Sequence, residues 1–246
     1  MVFDKLFNFH PKEVVNPVTS RPYGETNIGR YREKNEDAIL IFDRKDIYDK
    51  VQLHGVYAVA DGVGGQPNGE IASHSLISLI FDYASAGKYI HQEELQIINS
   101  QIESGGTTLV LAQQSDKDQN VYDIFSVGDS SALVLDQKLG TLTEITRRDE
   151  NSVGHLTQAM GPDTGNSFYR EANQCSVTLK KGQTLLLATD GFTGYIDKGK
   201  FPPSEILKLR KKYPDESNFV RALIEQTNSL GGTDNITIIS IPYRPQ

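Results

Sequence analysis

Four times in this chain an aspartate sits at the edge of a short apolar run of strand-like length, beside a small or turn-forming residue. Three of the runs end on it: Val56-Tyr57-Ala58-Val59-Ala60-Asp61-Gly62, Phe125-Ser126-Val127-Gly128-Asp129-Ser130 and Leu185-Leu186-Leu187-Ala188-Thr189-Asp190-Gly191. The fourth aspartate comes first, in Gly232-Thr233-Asp234-Asn235, ahead of the run 236–241. An aspartate at the edge of a buried strand costs desolvation unless something compensates it. Taken singly, each reads as a turn cap, because turns enrich aspartate. Four in one domain read differently, since converging carboxylates repel unless a cation lies between them. A donor set made of oxygen alone selects hard ions such as Mg²⁺ or Mn²⁺ over zinc.

A fifth acidic site, Arg32-Glu33-Lys34-Asn35-Glu36-Asp37, again leads into an apolar run. By itself it reads as a surface charge cluster. Arg32 nevertheless offers a planar fork able to hold two phosphate oxygens at once.

Other apolar, β-branched runs with Gly-, Asp- or Asn-rich borders predict strands over 38–42, 55–60, 107–112, 121–127, 132–135, 175–179, 184–188 and 235–241. Helical stretches are predicted over 69–83, 92–102, 204–212 and 216–230, with Pro203-Ser204-Glu205 suited to a helix start. Helix pairs falling between groups of strands predict an α+β chain built as a helix-covered antiparallel sandwich, not a doubly wound sheet. Residues 1–19 read as an N-terminal appendage, and 20–246 as one domain large enough to bury a core without staples.

The formal net charge of -7, with no Lys/Arg run, argues against a nucleic-acid groove, and Arg147-Arg148 reads as solvated surface. The lone Cys175 excludes an intrachain disulfide and a zinc site of several thiolates, and reads as a buried or half-buried strand residue. No segment has the apolar length of a membrane span, and Met1 to Phe7 lacks a signal-peptide apolar region, so a cytoplasmic protein is expected. Gly128-Asp129-Ser130-Ser131 is a faint match to the Gly-Asp-Ser-Gly of trypsin-like proteases, but the second glycine and a triad histidine are missing. His10, His54, His74, His91 and His155 are scattered, and the glycines of 62–69 are followed by no Gly-Lys-Ser/Thr.

In order along about 23–241, the motifs resemble those of the PP2C (PPM-type) phosphatase family. They are Gly29-Arg30-Tyr31-Arg32-Glu33-Lys34-Asn35-Glu36-Asp37, Asp61-Gly62-Val63-Gly64-Gly65 with Gly69-Glu70-Ile71-Ala72-Ser73, and Gly105-Gly106-Thr107-Thr108-Leu109. Val127-Gly128-Asp129-Ser130, Leu156-Thr157-Gln158-Ala159-Met160-Gly161, Thr189-Asp190-Gly191-Phe192 and Gly231-Gly232-Thr233-Asp234-Asn235-Ile236-Thr237 complete the set. Each is weak alone, whereas the ordered set is specific. The resemblance implies a four-layer α-β-β-α sandwich, two antiparallel sheets flanked by helix pairs. It also implies hydrolysis of phosphoserine and phosphothreonine monoesters by a metal-activated water, with two Mn²⁺ or Mg²⁺ ions per site.

Carried over by motif, Asp61 bridges both metals, the Gly62 carbonyl binds one, and Asp190 and Asp234 bind the other. Glu36 acts through metal-held water with Asp37 in support, Arg32 grips the phosphate, and Asp129 belongs to a third, weaker metal site. The implied partners are phosphorylated Ser/Thr proteins, a cognate Ser/Thr kinase or its substrates, with no nucleic acid and no membrane, for a monomeric enzyme.

The chain departs from the family pattern at several points. Val63 stands where many eukaryotic relatives carry a histidine proposed as general acid, which points to the bacterial branch. Gly194 replaces an acid that helps to hold the third metal, so weak third-site occupancy is expected. Ser131 replaces a common arginine, and the segments 149–155 and 84–105 are short. Two alternatives remain at this stage: a pseudophosphatase that binds a partner through the same fold, and a small-molecule phosphatase using the same site.

Overall fold

The structure, a computed structural model, describes residues 21–43, 55–64, 67–163 and 169–245. The predicted appendage lies outside the described residues. The elements in chain order are β1 (Tyr23–Asn27), β2 (Asp37–Phe42), β3 (Val56–Asp61), α1 (Gly69–Ser85), α2 (Gln92–Ser100), β4 (Leu109–Gln114), β5 (Val121–Val127) and β6 (Ser131–Asp136). They continue with β7 (Thr141–Glu144), β8 (Asn173–Thr178), β9 (Gln183–Ala188), α3 (Asp190–Asp197), α4 (Pro203–Lys212), α5 (Glu216–Ser229) and β10 (Ile236–Pro242). The first sheet runs β1-β10-β9-β6-β7 and the second β2-β3-β4-β5-β8, every pairing antiparallel.

The central strands are apolar throughout, not alternating, because both of their faces are covered. On β3, Tyr57 and Val59 point into the core between the sheets, while Val56, Ala58 and Ala60 point toward α1 and α2. On β9, Leu185 and Leu187 face the other sheet, and Leu186 and Ala188 face α3 to α5. Three apolar layers therefore separate four layers of backbone, the expected sandwich. Leu76 and Ile80 of α1 and Phe219 and Leu223 of α5 are fully buried, each worth roughly 1.5–3 kcal/mol.

Three elements differ from the sequence reading. Strands β1 (YGETN) and β7 (TLTE) carry no apolar run, and they are sheet edges on which no residue is fully buried. The stretch after β9, read as a turn on the strength of Asp190-Gly191, is instead the first turn of α3, with Thr189 as N-cap. Its glycine serves close packing: a Cβ on Gly191 would stand 1.8 Å from the Asn235 carbonyl. Cys175 is half-buried on β8, as expected, its thiol directed at the Ile145 carbonyl.

Helices α4 and α5 meet through a buried ion pair. Arg210, in the last turn of α4, donates from Nη1 and Nη2 to the Glu216 carboxylate, at 3.0 and 2.6 Å. Ser240 of β10 donates to the same carboxylate. Breaking such a pair leaves a buried charge without compensation. Arg210→Met is expected to cost about 3–5 kcal/mol in urea unfolding, and the additional change Glu216→Leu to recover much of that loss.

Candidate metal centre

The site forms where both sheets end together. Asp37 opens β2 directly opposite Asp61, which closes β3. Asp129 lies in the turn that carries the chain from β5 in the second sheet to β6 in the first. Asp190 begins α3 just beyond β9, and Asp234 immediately precedes β10. Apolar strands thus deliver their terminal aspartates to one end of the sandwich because antiparallel order returns alternate strand ends there.

Arg32, Asp61, Asp129, Asp190 and Asp234 line one cleft together with Val63, Gly64, Thr108 and Leu156. Gly62, adjoining Asp61, is buried beside it and donates its N–H to the Glu36 carbonyl at 3.1 Å. Glu36 lies to one side, its carboxylate against Gly69 at the start of α1. Asp37 sits beneath the cleft. Its Oδ2 accepts hydroxyl hydrogen bonds from Thr189 at 3.0 Å and Thr237 at 2.6 Å, and its buried Oδ1 has no hydrogen-bond partner. The structure therefore brings five of the eight predicted site residues into one cleft and places the other three around its wall and floor.

Backbone amides and short side chains hold this geometry. The Asp61 N–H donates to Thr108 Oγ1 at 3.0 Å, and that hydroxyl pairs with Ser130 Oγ at 2.7 Å, tying Asp61 to the Asp129 turn. The turn needs glycine at 128, where φ is +93° and a Cβ would meet Thr108 Cγ2 at 2.7 Å. Asn235 staples the Arg32 loop: its Oδ1 accepts from the Glu36 N–H at 2.8 Å, and its Nδ2 donates to the carbonyls of Ile28 and Lys34. Thr108 and Asn235 lay inside quoted motifs, but nothing in the sequence gave their amide-holding roles away.

The electrostatics are those of crowded acids. Burial, then Asp37, Asp190, Asp129 and Asp234, hold the Asp61 carboxyl well above its usual range. Burial, then Asp190, pushes Asp129 up to about 7. Burial raises Asp37 to about 7 against the two threonine hydrogen bonds, and burial with Asp234 raises Asp190. Among the described residues Arg32 is the one cation in the cleft lining, donating from Nη2 to Asp234 Oδ2 at 2.7 Å. That bond raises the guanidinium pKa further and leaves other donors of the fork for phosphate oxygens.

The donors suit a hard divalent ion: all are oxygens, they repel one another, and one carboxylate oxygen beneath them is unpartnered. Among the described residues no three Asp, Glu, His or Cys side chains are drawn together tightly enough to cage an ion by themselves. Such crowding is not required of Mg²⁺-like ions, which keep several waters and take one or two carboxylates each.

Arg148 contradicts its reading as solvated surface. Only 17% of its side chain is exposed, and its guanidinium bonds Glu144, Asp197 and Ser131. Glu144 lies only four residues away, but Asp197 is 49 residues further on and no local pattern could reveal it.

No family model matches the chain. It is 29% identical over 251 residues to the serine/threonine phosphatase stp of Listeria welshimeri, covering 88% of this chain and 93% of that one. A bacterial serine phosphatase crystal structure superposes with a TM-score of 0.75 at 22% identity, over 92% of this chain and 99% of the other. The catalytic domain of the serine/threonine phosphatase PstP, solved with two manganese ions, gives a TM-score of 0.66 at 23% identity over 89% and 96%.

These raised carboxyl pKa values set the pH dependence of the metal-free protein. Protons held by the folded state to about pH 7 leave the unfolded state near pH 4, so stability falls as pH rises between those values. A bound cation replaces the protons. In thermal melts with chelator, the protein is expected to melt lower at pH 8 than at pH 5.5. Mn²⁺ is expected to raise the melting temperature more at pH 8. Equal Mn²⁺ shifts at both pH values would contradict metal capture by these acids.

Proposed function

We propose that the chain is a bacterial phosphatase of the PP2C (PPM) type, a metal-dependent protein serine/threonine phosphatase acting through the aspartate cleft. The observation that carries this reading is the convergence of Asp61, Asp129, Asp190 and Asp234 with a single arginine in one cleft.

We assign Asp61, the Gly62 carbonyl, Asp190 and Asp234 as the groups that would hold two Mn²⁺ or Mg²⁺ ions. Glu36, at the side of the cleft, and Asp37, beneath it, would support the ions from outside the cleft lining. The paired ions, when bound, supply a nucleophilic water near neutral pH and stabilise charge on the transferred phosphoryl group. Arg32, steadied by Asp234, presents its remaining N–H donors to the equatorial phosphate oxygens as charge shifts toward the leaving group. Thr108 keeps the Asp61 backbone in place through the reaction. Val63 lines the cleft where a proton donor would stand and has no proton to give, so the departing alkoxide takes its proton from solvent.

Asp129 is proposed as the acid of a third, weakly held ion. The position of a Cβ on Gly194 faces Lys198 Nζ at 3.9 Å, so a positive charge borders the place where a further acid would be needed. The substrates are proposed to be phosphoserine and phosphothreonine proteins, those of a cognate kinase or the kinase itself, with the enzyme acting as a cytoplasmic monomer. Among the described residues no helix is long and apolar enough to cross a membrane. The intact acid set weighs against a pseudophosphatase.

Hydrolysis of a phosphothreonine peptide is expected with Mn²⁺, and none with chelator. Changing residues behind metal ligands costs roughly 10–100-fold, so removing a ligand by Asp190→Ala is expected to cost more. Folded, Mn²⁺-loaded wild type that releases no phosphate from the peptide or from an aryl phosphate would return the pseudophosphatase reading. Turnover of the aryl phosphate alone would favour a small-molecule phosphatase.

A further inference from the structure

We propose that Arg148 is a positioning residue that clamps α3 to the Asp129 turn and so fixes Asp190 relative to the other acids; this rests on the metal-centre reading above. Helix α3 spans eight residues, with Asp190 first and Asp197 last. It is a weak helix in isolation. Gly191 and Gly194 each cost roughly 1 kcal/mol relative to alanine, and Asp197 places a negative charge at the helix's negative end. Something outside the helix has to hold it.

Arg148 does so by reaching three elements at once. Its Nη1 donates to Asp197 Oδ2 at 2.6 Å, closing on the last turn of α3. Its Nε and Nη2 donate to the Glu144 carboxylate at the end of β7, at 2.9 and 3.0 Å. Its Nε also reaches Ser131 Oγ at 3.1 Å, two residues beyond Asp129 at the start of β6. The next residue locks the arginine to the same turn: the Asp149 N–H donates to the Gly128 carbonyl at 2.8 Å, and Asp149 Oδ2 accepts from the Gly128 N–H at 3.2 Å. A guanidinium supplied from the segment after β7 thus stands beside Ser131, the position where relatives in the resemblance carry their own arginine. The bond to Asp197 sits at one end of a short rod whose other end is Asp190. Releasing it frees α3 to shift against β6.

The planar fork is essential, because a lysine keeps the charge but cannot serve three partners in fixed directions. The test is Mn²⁺ binding by isothermal titration calorimetry, independent of turnover, on wild type, Arg148→Met, Arg148→Lys, Asp197→Asn and the Arg148→Met/Asp197→Asn double variant. Metal-free melts check that each folds. Arg148→Met is expected to lose about 10–100-fold in Mn²⁺ affinity, with Arg148→Lys close to it. Asp197→Asn is expected to weaken binding too, and the double variant to bind no worse than Arg148→Met, because one contact is being cut twice.

Wild-type affinity in Arg148→Lys, or losses that multiply in the double variant, would overturn the clamp. Should Arg148→Met fail to fold, Asp197→Asn decides alone, since its half-exposed carboxylate is the arginine's tie to α3; unchanged affinity there also overturns it. Wild type that binds no Mn²⁺ would overturn the metal-centre reading together with the clamp, whereas wild-type binding with unchanged variants overturns the clamp alone.

Discussion

Mutual repulsion among half-buried carboxylates is the condition to which this fold is fitted. Asp61, Asp129, Asp190 and Asp234 stand half-buried around one cleft, where burial and neighbouring acid charge raise the pKa of the first three. Such a cluster is unfavourable in a metal-free protein at neutral pH. The surrounding structure holds it in place all the same. Strand pairing fixes Asp61 against Asp37, a threonine–serine pair ties Asp61 to the Asp129 turn, and Asn235 pins the loop that bears Arg32. Pre-placed charge of one sign is what lets a site bind a divalent ion tightly and polarise what the ion holds.

The two sheets share this task unequally. The second contributes Asp61 and the Glu36–Asp37 pair, the first contributes Asp190 and Asp234, and the Asp129 turn joins them. Asp37 is the fastener, since its carboxylate belongs to the second sheet while both of its threonine donors belong to the first. The arrangement also explains why those threonines occupy otherwise apolar ground. Thr237 lies on the face of β10 that packs Ile239 and Ile241 between the sheets, and its hydroxyl is satisfied by Asp37 and Thr26.

Much of this was legible in the chain because the pattern was local. An acid at the edge of an apolar run reads alone as a turn cap, and it is the recurrence of that pattern at Asp61, Asp129, Asp190 and Asp234 that marks a site. Asp234 and Arg32 are each legible in their own segments, but their bond spans 202 positions and no spacing rule could foretell it. The misread elements share a cause: their side chains do not record their neighbours. β1 and β7 have little apolar burial to write into sequence, and α3 opens on Asp190-Gly191 because the Asn235 carbonyl leaves no room for a Cβ at 191. Arg148 was taken for solvated surface because two adjacent arginines in a polar stretch carry no sign of a carboxylate 49 residues further on.

The pairing of β1 with β10 has a consequence for how the molecule is made. The first described strand cannot be completed until nearly the last one exists, for Tyr23 lies opposite Ser240 and Asn27 opposite Ile236. Chains emerge from the ribosome N-terminus first, at about 5–20 residues per second. The second sheet, whose strands end at Thr178, can form while synthesis continues. Arg32 must meanwhile wait for Asp234, and the Asp37 carboxylate for the Thr237 hydroxyl. Between the emergence of β8 and that of β10 the nascent chain therefore carries Glu36, Asp37 and Asp61 without Asp234, and the cleft is complete only once the strand 236–242 has cleared the exit tunnel.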